Sequence, residues 1–184
     1  MGSKKHMKVR QTLATLLVIT SLALADIWNV DTESAKIMFS VKGPFGTVHG
    51  SFSGLKATIR FNENDLPGSS FSASIEAKTV STGISLRNHD LRKKDVWLDT
   101  DKYPLISFRS RKIEKAGTGY KAIGDLTIKG TTRPMEIPFT FNSKEGTGRF
   151  NGQFQVKRDD YNVGSEGGWV GSMVTIMLEV PVKK

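Results

Sequence analysis

From Ile37 to Val182 the apolar residues recur at every second position, in one segment after another. That period, more than any other feature, limits what the chain can fold into. Ile37, Phe39 and Val41 alternate with Lys36, Ser40 and Lys42. Leu55, Ala57, Ile59 and Phe61 follow, then Phe71, Ala73, Ile75 and Ala77. Further sets are Tyr120-Ala122-Gly124-Leu126-Ile128, Met135-Ile137-Phe139-Phe141, Phe150-Gly152-Phe154-Val156 and Val174-Ile176-Leu178-Val180-Val182. Successive strand residues point to opposite faces, so each set is the apolar face of a half-buried strand. Turn residues separate the sets: Asn64-Asp65-Leu66-Pro67-Gly68, Gly117-Thr118-Gly119, Lys129-Gly130-Thr131 and Lys144-Glu145-Gly146. Only Leu86 to Leu98 resists a strand reading, and its charges and spaced apolar residues predict a short helix over 88–98 with Leu91 inward. The fold expected is all-β: one antiparallel sheet of about eight strands, closed into a barrel, with a helical insertion.

The apolar face is unusually rich in rings. Phe39, Phe52, Phe61, Phe71, Phe108, Phe139, Phe141 and Phe154 all fall on apolar positions, with Ala57, Ala73, Ala77, Ala122, Gly124 and Gly152 on similar faces. Large rings beside small residues can fill a tapering barrel completely, or they can line an apolar tunnel. The residues alone leave both readings open.

The N-terminal segment is of another kind. Residues 1–25 hold Lys4, Lys5, Lys8 and Arg10 and no acid, then the apolar run Leu13 to Leu22, then Ala23-Leu24-Ala25. Basic region, short apolar region and small-x-small exit form a secretory signal peptide, and the run is too short to span a bilayer with ease. Met1 to His6 read as an added tag before a native start at Met7. Cleavage after Ala25 leaves one domain, 26–184, and lowers the formal net charge from +9 to +5. That charge is ordinary for solubility and, with export, argues against nucleic acid as a partner. The expected location is periplasmic or secreted. The chain has no Cys, which excludes disulfides, thiolate metal sites, a thiol nucleophile and a lipoprotein anchor.

Catalytic constellations are sparse. Two His remain after cleavage, His49 and His89, at a spacing that matches no metal motif. No G-x-S-x-G elbow occurs, and the Gly-rich stretch from Gly164 to Gly171 lacks the Lys-Ser/Thr ending of a phosphate loop. His89 lies beside Asp90 with Arg87, Arg92, Lys93 and Lys94 close by. This cluster reads as a solvated helix face or as a polar gate for an anionic or carbonyl headgroup, since an Arg fork suits carboxylate and phosphate. No metal and no cofactor are expected.

Several linked motifs resemble the YceI-like family over essentially all of the mature chain. They are Trp28-Asn29-Val30-Asp31, Phe39-Ser40-Val41-Lys42, Gly50-Ser51-Phe52 with Gly54, and Ser81-Thr82-Gly83. Arg87-Asn88-His89-Asp90-Leu91-Arg92 follows, then Asp101 to Phe108, Gly124 to Pro134 and Arg158 to Gly164. The resemblance implies an elongated, lipocalin-like antiparallel barrel, secreted or periplasmic and often dimeric. It also implies a long apolar amphiphile inside, such as a polyisoprenoid, a quinone or a fatty amide. The chain departs from the pattern at Glu33 and Lys42, where the family often has His, and at Asp90, which separates His89 from Leu91.

Three functions are consistent with these residues. The first is a non-enzymatic lipid-binding or carrier protein. Its expected ligand-binding residues are Phe39, Phe52, Ile59, Phe61, Ile75, Arg87, His89, Trp97, Phe108, Phe139, Phe141 and Phe154. Its expected partners are the lipid, a second copy of the chain in a homodimer and, transiently, a membrane surface. The second is a solid-cored barrel whose basic surface meets an acidic partner or anionic lipid heads. The third is a hydrolase or isomerase using His89 and Asp90, for which no nucleophile, base and orienting group stand out together.

Overall fold

A computed structural model describes residues 25–165 and 167–184; the signal-peptide reading of 1–25 falls almost wholly outside the described residues. The strands are β1 (Ile27–Val30), β2 (Lys36–Gly43), β3 (Gly46–Phe52), β4 (Lys56–Arg60) and β5 (Ser70–Glu76). After a short helical turn, Ala77–Thr79, and one α-helix, α1 (Ser85–Lys93), come β6 (Leu105–Ala116), β7 (Gly119–Ile128), β8 (Thr131–Lys144) and β9 (Thr147–Lys157). A second helical turn, Arg158–Tyr161, precedes β10 (Met173–Lys183). All pairings are antiparallel, in the order β1-β4-β5-β6-β7-β8-β9-β10-β2-β3, and β1 also pairs β10. Eight strands therefore close a ring, as the alternation predicts, while the β2–β3 hairpin extends the wall beyond it.

The split in the wall has a local cause. β10 pairs β1 through Val182 and Lys183, and it pairs β2 from Val174 to Glu179. Between them Asp31 N–H donates to Pro181 O (3.0 Å), and the chain leaves the ladder until Lys36. Pro181 has a carbonyl to offer but no N–H, so the facing strand breaks there. Past the break β2 pairs β10 and β3 pairs β2, and both continue the wall. The free edge of β3 is held by paired bonds between Ser51 and Ser81 (2.8 and 2.9 Å) and by Thr79 Oγ1, which donates to Ser53 O.

Two further sequence choices shape the barrel. Lys129-Gly130 and Glu145-Gly146 take positive φ at both positions, the conformation of two-residue hairpin turns that match strand twist. In β6 a bulge between Ser110 and Lys112 interrupts the alternation, so that Ile106 and Phe108 lie on one parity and Ile113 on the other. Opposite it, a Cβ on Gly124 would lie 2.2 Å from Arg109 O, so only glycine lets the bent strand approach.

The helix differs from expectation at both ends. It begins at Ser85 rather than Asn88 and ends at Lys93, leaving Trp97 in a turn. Asn88 does not start it: its Oδ1 accepts from Thr82 N–H and Thr82 Oγ1 (both 2.8 Å), which ties the incoming chain to the helix flank.

One end of the barrel is packed solid. Phe61, 1% exposed, lies edge-on to Tyr120, Phe139, Phe141 and Phe150 at centroid distances of 5.1–5.6 Å. Trp28 Nε1 donates to Phe61 O (3.0 Å) and its ring meets Phe141 edge-on. Such ring pairs add to the free energy of burial. Phe61→Ala empties the centre of this plug and is expected to lower stability by about 3–5 kcal/mol, seen as a reduced urea midpoint at unchanged slope. A loss below about 1 kcal/mol would mean that the plug collapses onto the gap or is not the main support of this end.

Candidate functional site

Above the plug the barrel is not filled. A cavity of about 1020 Å³ runs from Phe139, Phe150 and Ile59 up to an opening beside α1 and the β2–β3 hairpin. Protein interiors hold few voids larger than a water molecule, and ligand pockets span roughly 300–1,000 Å³, so this volume is of binding-site size. The two sequence readings of the Phe-rich face therefore divide the barrel between them: solid packing below, open space above.

Period-two alternation builds the walls. Ala57 of β4 and Ala73 of β5 are register partners, and Ala73 in turn faces Phe108 of β6. The small residues leave the space that the rings border. On the hairpin side, Phe39 and Phe52 pack tilted at 5.6 Å. The tip of the Phe39 ring covers Gly50, where a Cβ would stand 2.2 Å from the ring and 2.7 Å from Ser81 O. Any larger residue at Gly50 would displace Phe39 and press on the Ser81 carbonyl that bonds Ser51.

Of the residues expected to contact ligand, Phe39, Phe52, Ile59, Ile75, Arg87, Trp97, Phe108, Phe139 and Phe154 border the cavity. Three do not. Phe61 and Phe141 face inward as expected but sit in the plug beneath it, because alternation gives the face of a strand and not the depth along the barrel axis. His89 is exposed on the helix flank turned away from the cavity; Leu86, Arg87, Asp90 and Leu91 form the flank that borders it. Asp90, the supposed partner of His89, pairs with Lys94 at 2.7 Å instead. Lining residues that the expectation omits include Phe45, at the Gly43-Pro44-Phe45-Gly46 turn, and Ile176 and Leu178 of β10. An aromatic residue at a turn tip was the available signal for the first, and the β10 alternation for the others.

Polar groups gather at the mouth. Arg158 is 5% exposed and its guanidinium serves four backbone carbonyls. Nε donates to Gly171 O (3.0 Å), Nη1 to Val163 O (2.7 Å), and Nη2 to Ser165 O (3.1 Å) and Val170 O (2.7 Å). Asp159 Oδ1 lies 2.9 Å from Nη1, a charge contact without an aligned hydrogen bond. Arg158 thus folds the Gly-rich loop over its own side chain, and a Cβ on Gly164 would strike both Arg158 and the Trp97 ring. With its donors committed to the backbone, Arg158 is a strut. Arg87 forms no ion pair among the described residues, which leaves its fork available to a headgroup. Tyr161 also borders the cavity, and its buried hydroxyl has no partner among the described residues. Burial, and then the nearby Asp160 carboxylate, push that phenol above its ordinary pKa, so it stays a neutral donor at physiological pH.

Comparison with known proteins agrees with this architecture. A family model described as a YceI-like domain matches residues 28–182. A UPF0312 protein of Yersinia enterocolitica is 26% identical over 178 residues, spanning 92% of either chain. The crystal structure of BcnA from Burkholderia cenocepacia superposes with a TM-score of 0.79 at 27% identity, covering 83% of this chain and 99% of that one. A polyisoprenoid binding domain from Saccharophagus degradans, implicated in plant cell wall breakdown, superposes with a TM-score of 0.65 at 15% identity. It covers 85% of this chain and 97% of its own, and at that identity the likeness is one of fold.

Arg158→Ala removes the strut and leaves Asp159 buried without a counter-charge. A loss of about 3–5 kcal/mol in urea denaturation is expected, together with faster amide exchange in the Gly-rich loop. Arg158→Ala with unaltered exchange there would show that the loop holds its shape by other means.

Proposed function

This chain belongs to the YceI-like family, and from that premise we propose that it binds a long-chain apolar amphiphile, a polyisoprenoid, an isoprenoid quinone or a fatty amide, without catalysing a reaction on it. The observation that carries this reading is the cavity of about 1020 Å³, closed at one end by rings and open at the other beside the Arg87 guanidinium. Its form matches a molecule with one long apolar chain and one polar end. The chain lies along Ala57, Ala73 and Phe108 toward Phe139, and the headgroup stays near Arg87 and Tyr161.

Magnitudes favour the chain over the head as the source of affinity. Each buried methylene contributes about 0.8 kcal/mol, so a long prenyl or acyl chain can offset the cost of being ordered. Contacts at a half-open mouth are screened by water and salt and serve selection more than affinity. The proposed setting is outside the cytoplasm, from the export signal read in residues 1–25. A homodimer remains part of the proposal as an expectation of family resemblance.

Protein purified from its own secretory compartment without detergent is expected to yield a stoichiometric prenyl or fatty-chain lipid on extraction and mass spectrometry. Lipid-free protein that also refuses added prenyl and acyl chains would end the proposal. Ala73→Trp, which places an indole in the mid-cavity, is expected to weaken the longest chains by at least about tenfold while sparing short ones. In titrations with chains of graded length, that affinity is expected to survive high salt.

A further inference from the structure

Large apolar side chains surround the cavity mouth and face solvent. Phe45, at the tip of the β2–β3 hairpin, is 102% exposed, and Trp169, in the loop before β10, is 88% exposed. Leu86 and Ile84, at the start of α1, are 73% and 49% exposed. Single apolar residues on a surface need no explanation, but several around one opening form a patch. Phe45, Ile84 and Leu86 border the cavity itself. Trp169 precedes Val170, another lining residue, and Gly171 N–H donates to Lys42 O (2.7 Å), which holds the loop beside the hairpin.

Charge accompanies the patch. Lys42 is exposed on β2 next to the hairpin tip, and Arg87 lies on α1 beside Leu86. Neither pairs with a carboxylate among the described residues, whereas Lys93 and Lys94, further along the helix, are matched by Asp101 and Asp90. Exposed Trp and Phe flanked by unpaired cations suit the headgroup layer of an anionic bilayer, where rings enter the acyl boundary and cations meet phosphates.

We infer that this end of the barrel is a membrane-docking face, seated mouth-down on an anionic lipid surface. The inference takes amphiphile binding as its starting point and adds how the ligand enters. With Phe45, Leu86 and Trp169 in the interface, the opening lies against lipid, and a chain passes from bilayer to cavity without its methylenes meeting bulk water.

Trp169 and Lys42 do not line the cavity, so they test docking apart from binding. The full chain, freed of bound lipid, is mixed with vesicles of phosphatidylcholine or of phosphatidylcholine with about a quarter phosphatidylglycerol. Flotation with the anionic vesicles, weakened by salt, is expected, with a blue shift of tryptophan emission that Trp169→Ser removes. Trp169→Ser and Lys42→Glu are each expected to reduce partition by about tenfold, while both still take up a dispersed prenyl alcohol in the absence of vesicles. No flotation, or equal flotation by both variants, would overturn the docking face. So would a dimer that Trp169→Ser dissociates with no vesicle binding by the parent protein. Docking without uptake of the prenyl alcohol would support the face and count against the cavity's proposed ligand instead.

Discussion

The divided edge of β10 is the constraint on which the rest of the molecule depends. One strand closes the ring through two residues of β1 and then, beyond Pro181, pairs β2, which carries β3. A strand that continued unbroken would have sealed the wall along its whole length. The break gives the barrel two unlike ends: a narrow one, where β1 closes the wall and rings fill the interior, and a wide one whose wall is completed by a hairpin, a Ser51–Ser81 bridge and a helix.

Packing follows that geometry. At the narrow end the inward positions are close enough for rings to meet, and Phe61, Phe139, Phe141 and Phe150 fill the space. At the wide end the same alternation continues, but Ala57, Ala73 and Phe108, neighbours on β4, β5 and β6, border open space rather than rings from other strands. Apolar residues there face a void that water occupies poorly and a hydrocarbon chain occupies well. The mouth is organised by polar groups committed to backbone. Arg158 gathers four carbonyls of one loop, and Lys129 Nζ donates to Asp95 O and Asn162 O, joining the β7–β8 turn to the segments on either side. These bonds fix a rim on which apolar side chains remain exposed.

Much of the fold was legible because a strand's parity is a local property. Ile37, Phe39 and Val41 announce their shared face whatever lies opposite. Where a local rule is broken, legibility fails. The β6 bulge shifts parity between Phe108 and Ile113, and β3 carries Gly50 where an apolar residue would have marked the face. The helix was misplaced because Asn88 has the chemistry of a cap but uses it on Thr82. Arg158, read only as part of a family motif, looks like any surface charge until the carbonyls that surround it are known.

The sequence by itself determined which residues turn inward, that the sheet is antiparallel and closed, and that its interior is aromatic beside small. Those properties follow from spacing along one strand and from turn chemistry, neither of which needs a partner. Only the tertiary structure decided that Phe61 and Phe141 are packing while Phe139 borders a cavity, that His89 faces outward, and that Phe45, Leu86 and Trp169 gather at one opening. Depth along a barrel depends on stagger between strands, and a rim depends on loops from distant parts of the chain meeting in space. Both are long-range quantities that no single segment encodes.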